Sequence, residues 1–169
     1  GLGDVYKRQV ENTPIDKLAD AIIKTNDIMY IYGFAKNVEN APICKLAEGI
    51  IKTNNANAMF DFAKNIKNAP IDKLADAIIK TNNARDIYLF AKDVKNAPID
   101  KLTEAIIRTN DYKYINLFAE DIENTSIDKL VNAIISSNNA EYIYYFAKNV
   151  KNAPIDLSLI HISEPTRRS

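Results

Sequence analysis

A 28-residue pattern recurs five times without a gap, and this constrains the fold more than any other feature of the chain. The units are TPIDKLADAIIKTNDIMYIYGFAKNVEN (13–40), APICKLAEGIIKTNNANAMFDFAKNIKN (41–68), APIDKLADAIIKTNNARDIYLFAKDVKN (69–96), APIDKLTEAIIRTNDYKYINLFAEDIEN (97–124) and TSIDKLVNAIISSNNAEYIYYFAKNVKN (125–152). A further unit begins as APID at 153–156, and Val10-Glu11-Asn12 matches the close of the first. The repeat array therefore runs over 10–156.

Each unit reads as two short helices. Pro14, Pro42, Pro70 and Pro98 suit the first helical position, where a missing N–H loses no partner. Asp16, Asp72, Asp100 and Asp128 in the first turn favour the helix dipole. Ile15, Leu18, Ala19, Ile22 and Ile23 form an amphipathic stripe at i, i+3, i+4, i+7, i+8. Thr25-Asn26 ends this helix, since Asn tolerates the left-handed conformation. Asp27, Asn55, Asn83, Asp111 and Asn139 are placed to cap the second helix. That helix carries its stripe on Ile87, Phe90, Ala91 and Val94 and their equivalents, with Asn40, Asn68, Asn96, Asn124 and Asn152 closing it. Ser126 replaces the proline in the fifth unit, a small loss of preorganisation that leaves the fold unbroken. Two helices of this length cannot bury their apolar faces alone, so stacking on neighbours completes the core. The fold class is all-α: an α-solenoid of stacked two-helix repeats. In its paired short helices and regular period, the segment 10–156 resembles the HEAT-like and leucine-rich-repeat-variant helical arrays. The resemblance implies an extended, curved scaffold for other macromolecules and carries no functional residues with it.

Residues 1–9 and 157–169 fit no column of the repeat. They resemble translated transposase-adapter sequence. Asp4–Gln9 can be encoded by GATGTGTATAAGAGACAG, whose reverse complement encodes LSLIHI, the sequence of Leu157–Ile162. Both tails are accordingly read as adapter-derived and set aside from fold reasoning. His161, the single histidine, falls in one of them. Formal charge is zero over the chain; without the tails, 18 basic and 20 acidic residues remain, a net −2. That balance disfavours nucleic acid as a partner. No apolar run reaches transmembrane length.

Catalytic and cofactor motifs are absent from the sequence: no HExxH, CxxC pair, G-x-S-x-G or glycine-rich phosphate loop, and only four glycines. No cofactor or metal is expected, and the chain reads as non-enzymatic. Asp72 and Asp76 share a helix face, but Asp76 also stands four residues before Lys80, the favourable order for a surface ion pair. A charged solvent face explains them. Cys44, the lone cysteine, replaces a first-turn Asp and has no evident chemical partner.

Comparing the units with one another separates two surfaces. The column Lys17, Lys45, Lys73, Lys101, Lys129 does not vary and reads as a solubilising outer wall on the first helices. On the second helices, the positions opposite the stripe do vary. One column runs Met29, Asn57, Arg85, Lys113, Glu141, and another Gly33, Asp61, Leu89, Leu117, Tyr145. Leu89, Leu117 and Tyr145 would form an apolar stripe on the order of 20 Å long if stacked helices lie about 8–10 Å apart. Tyr30, Tyr32, Phe60, Tyr88, Tyr114, Tyr142 and Tyr144 flank it; packing between repeats is the favoured reading of these columns, and binding to a partner is the alternative. The candidate partner-binding face is Met29, Tyr32, Phe60, Arg85, Tyr88, Leu89, Lys113, Leu117, Glu141, Tyr144 and Tyr145, lining a concave surface that takes a protein or peptide. Two alternatives are a spacer arm and single-stranded nucleic-acid binding on stacked Tyr rings beside Arg85 and Lys113.

Overall fold

A computed structural model describes residues 14–150, and the two tails, the partial units at 10–12 and 153–156, and Asn152 at the close of the fifth unit lie outside them. Among the described residues there are ten helices and no strand. The first helices of the five units are α1 (Pro14–Lys24), α3 (Ile43–Lys52), α5 (Ile71–Lys80), α7 (Ile99–Arg108) and α9 (Ile127–Ser136). The second helices are α2 (Ile28–Asn37), α4 (Ala56–Asn65), α6 (Ala84–Asp93), α8 (Tyr112–Asp121) and α10 (Ala140–Asn149). Every principal helix–helix contact joins a helix to the next one or the next but one. The molecule is thus an α-solenoid in which each unit packs only on its neighbours.

The helix boundaries follow from local chemistry repeated in each unit. Pro42, Pro70 and Pro98 stand one residue earlier than the sequence implies, at the cap and not inside the helix. Their φ is −75° and ψ 80–82°, and their carbonyls accept the first helical bonds from Leu46, Leu74 and Leu102. Only Pro14 lies within its helix. Ser126 adopts the same geometry without a ring, φ −75° and ψ 83°, so the fifth unit keeps the turn.

Between the two helices of a unit, a hydroxyl ties both ends together. Thr25, Thr53, Thr81, Thr109 and Ser137 donate to the carbonyl three residues back at 2.6–2.7 Å. The same oxygens accept the N–H two residues on at 3.2–3.4 Å. Asn26, Asn54, Asn82, Asn110 and Asn138 then take φ of 50–56°, the left-handed turn expected of them. Asp27, Asn55, Asn83, Asp111 and Asn139 accept from backbone N–H groups of the helices they precede.

The second junction differs from expectation. Asn40, Asn68, Asn96 and Asn124 also have positive φ, 57–60°, but they sit three residues past the helix end. The helices close on Val38, Ile66, Val94 and Ile122 in extended conformation. In three of these turns the alanine after Asn bonds back across it, Ala41 to Val38, Ala69 to Ile66 and Ala97 to Val94, at 3.2–3.3 Å. Ile66, Val94 and Ile122 are buried at these ends, whereas Val38 in the first unit is 37% exposed.

The core is a continuous stack of the same columns. Leu46, Leu74, Leu102 and Leu130 are fully buried from the first helices, and Phe62, Phe90 and Phe118 from the second. Burying each such side chain contributes about 1.5–3 kcal/mol. Thr103 stands in an otherwise small apolar column, and its hydroxyl donates to the Ile99 carbonyl at 2.8 Å, so no polar group is orphaned there.

Candidate interaction face

The constant lysine column is not a free solvated wall. Lys45 pairs with Asp20 at 2.8 Å, Lys73 with Glu48 at 2.8 Å, Lys101 with Asp76, and Lys129 with Glu104 at 2.9 Å. Each pair crosses from one unit to the preceding unit. Asp76 therefore bonds to Lys101 of the next repeat and not to Lys80 of its own helix, because stacking brings α7 alongside α5. The bond from Lys73 holds the Glu48 carboxyl below its ordinary range, and Lys129 does the same to Glu104. Invariance in this column serves the joint between units. Cys44 is exposed on the same helix row.

The second-helix row carries a mixed aromatic and cationic column. Lys36, Lys64, Lys92 and Lys148 lie 5.3–5.9 Å from the ring centroids of Tyr32, Phe60, Tyr88 and Tyr144, one turn earlier on the same helices. In the fourth unit Asn116 and Glu120 occupy these positions, so ring and ammonium are lost together. Asn116 instead donates to the Tyr142 carbonyl at 3.3 Å, and its Oδ1 is buried without a protein hydrogen bond.

Most of the flanking rings are taken up between repeats. Tyr32 meets Phe62 edge-on at 6.5 Å, Tyr88 meets Tyr114 at 5.9 Å, and Tyr112 meets Tyr142 at 5.6 Å. Tyr88 is only 8% exposed. Its hydroxyl donates to Asp121, and Lys92 donates to the Tyr88 oxygen and to Asp121, both at 2.8 Å. Hydrogen bonds from Lys92 and Tyr88 hold the Asp121 carboxyl below its ordinary range. Burial, with the bond to Asp121, raises the Tyr88 phenol. This trio joins the third unit to the fourth. In the joint before it, Phe60 lacks the hydroxyl and Lys64 stays 3.7 Å from Asp93.

The candidate face thus divides. Tyr88 is removed from the surface, because the adjoining repeat covers it. Leu89 and Leu117, like Tyr32 and Phe60, are half-buried and packed against the core, which shortens the apolar stripe inferred from spacing. Met29, Arg85, Lys113 and Glu141 are exposed, as is Asn57 in the same column. Tyr145, 45% exposed, contacts the 59% exposed Tyr144 at 5.5 Å. A shallow cleft of about 560 Å³ opens between the first and second units, lined by Lys36, Val38, Glu39, Asn65, Lys67 and Asn68. It lies at the turn edge and includes none of the candidate residues. Among the described residues no group of three His, Cys, Asp or Glu side chains is arranged to hold a metal ion. None of the described helices is long and apolar enough to cross a membrane.

No family model matches the chain, and no curated protein and no solved structure matches it.

Proposed function

We propose that the array is a non-enzymatic scaffold that recognises a protein or peptide along the outward row of its second helices. The observation that supports this is the column Met29, Asn57, Arg85, Lys113, Glu141. All five side chains are exposed, and no two units share a residue there. The first-helix lysines, by contrast, are identical, and Lys45, Lys73, Lys101 and Lys129 are spent on ion pairs between units. A surface that differs from unit to unit can discriminate along an extended ligand, whereas a uniform one cannot. Kinship with HEAT-like arrays belongs to the same proposal, as does the adapter origin of residues 1–9 and 157–169. An uninterrupted reading frame through both ends tests the latter.

The test uses a random-peptide display library selected against the whole chain. Peptides so selected are expected to lose most of their binding to a variant carrying Arg85→Ala, Lys113→Ala and Tyr145→Ser. Binding should persist to a variant carrying Lys24→Ala and Lys80→Ala on the first-helix row. Equal binding to both variants would refute this reading. A library that yields no binder favours the spacer-arm alternative, which suits contacts confined to adjacent units.

A further inference from the structure

Arg85 and Lys113 are neighbouring cations on the outward row of two interior units, and among the described residues no ion pair ties either of them to another unit. Arg85 reaches only Asp86 beside it on its own helix, at 3.7 Å, and Lys113 lies 5.8 Å from the centroid of the Tyr114 ring. The first-row lysines Lys73, Lys101 and Lys129 each hold a carboxylate of the adjoining unit instead. Arg85 and Lys113 also stand in the first turns of α6 and α8, where the positive end of the helix dipole opposes them. A carboxylate arriving there is attracted by the side chain and by the helix end together. One turn further along the same helices, Leu89 and Leu117 are half-buried, so each cation has an apolar neighbour on the open surface. In the next unit the same two columns hold Glu141 and Tyr145, both exposed.

The spacing of these rungs selects the backbone that fits them. α6 packs directly on α8, and α8 on α10. The contacts of Tyr88 with Tyr114 and of Lys92 with Asp121 set α6 and α8 side by side in the same direction. A segment crossing them needs side chains that return to one face about every 8–10 Å, the usual distance between packed helices. A polyproline II helix returns every third residue, about 9.3 Å, whereas a β-strand returns every second, at about 6.6 Å. An α-helix returns after seven residues, about 10.5 Å, but has to cross the row nearly at right angles, which is a rare packing.

We propose that the partner is an acidic, proline-rich peptide segment in polyproline II conformation that crosses α6, α8 and α10. Two carboxylates three residues apart meet Arg85 and Lys113, and a basic residue three further on meets Glu141. The residue beside each carboxylate is apolar and lies on Leu89 or Leu117. This rests on the outward row of the second helices being the binding face.

Fluorescence anisotropy of labelled synthetic peptides titrated with the whole chain tests this. One peptide is proline-rich, with two glutamates three residues apart and a lysine three residues beyond; a second has the same composition with the glutamates adjacent. The first is expected to bind at least about tenfold more tightly, and added salt weakens it. Arg85→Glu with Lys113→Glu, both at exposed positions, abolishes that binding and transfers it to a peptide with lysines in place of the two glutamates. Equal affinity for the first two peptides overturns the proposal, as does undiminished binding of the first peptide to the charge-swapped chain. Peptides selected from the random library separate the acidic segment from the binding face itself. If they need the second-helix row but carry no carboxylates three residues apart, the segment is wrong and the face stands; if none needs the row, both fall.

Discussion

At the scale of the residue, the asparagines carry an unusual share of the architecture. Nine of them adopt positive φ among the described residues, one at each helix junction, and no glycine does. A residue with a Cβ is costly there, and Asn is tolerated because its short amide bonds locally. The demand is on backbone conformation, so removing the side chain altogether should be harmless. Asn82, with φ 52°, is a suitable site. Asn82→Ala is expected to destabilise the chain by roughly 1 kcal/mol, and Asn82→Gly by less than about half of that. Chemical denaturation followed by circular dichroism measures both. Equal losses would mean that the amide's own hydrogen bonds matter more than φ.

At the scale of the element, each helix pair is joined to the next by an ion pair on the first row, and from the second unit onward by a polar contact on the second row as well. The first-row seam repeats with little variation. The second-row seam is strongest where Tyr88, Lys92 and Asp121 coincide. Asp121 has a folded-state pKa below its ordinary 3.8. A depressed carboxylate stabilises the fold above the unfolded pKa, and that contribution is lost as pH falls through the folded value. Glu48 and Glu104, lowered by their lysines, act in the same direction. Acid therefore should loosen the array below the ordinary carboxylate range. Asp121→Asn keeps the shape and removes one titrating group, so its thermal midpoint should fall less steeply between pH 4 and pH 2, taken as about the span of carboxylate titration. A slope identical to wild type would show that the seam adds nothing to acid sensitivity.

At the scale of the molecule, stability is a sum over adjacent units, since no principal contact reaches beyond the neighbouring repeat. Removing one complete unit should leave an intact, shorter array. Deleting 69–96 places the second unit against the fourth. Glu48 then meets Lys101, Lys64 meets Asp121, and Phe60 lies beside Tyr114, each pairing the same columns as before. Helical ellipticity per residue is expected to be unchanged, with a lower thermal midpoint. Loss of helicity out of proportion to the deleted length would point to a core shared across the whole chain.

Period, helix pairing and core columns were legible without coordinates, because each depends on local spacing: a 3.6-residue stripe, a capping Asp or Asn, an Asn where the chain must turn left-handed. The residues that contact a neighbouring repeat were not. Asp76 has a good partner four residues away on its own helix, and only the stacking of α5 on α7 hands it to Lys101. Tyr88 reads either as a packing ring or as a binding ring until the fourth unit is seen to cover it and supply Asp121. Leu89 and Leu117 sit opposite the buried stripe by angle, yet they are half-buried against the core. The physical reason is the same throughout. A single sequence specifies what one helix does with its own turns, whereas exposure and ion pairing depend on the distance and tilt at which the next unit lies. For this protein the sequence alone determined the repeat, the capped turn within each unit and its inward columns. Which side chains remain free for a partner was decided by the stacking.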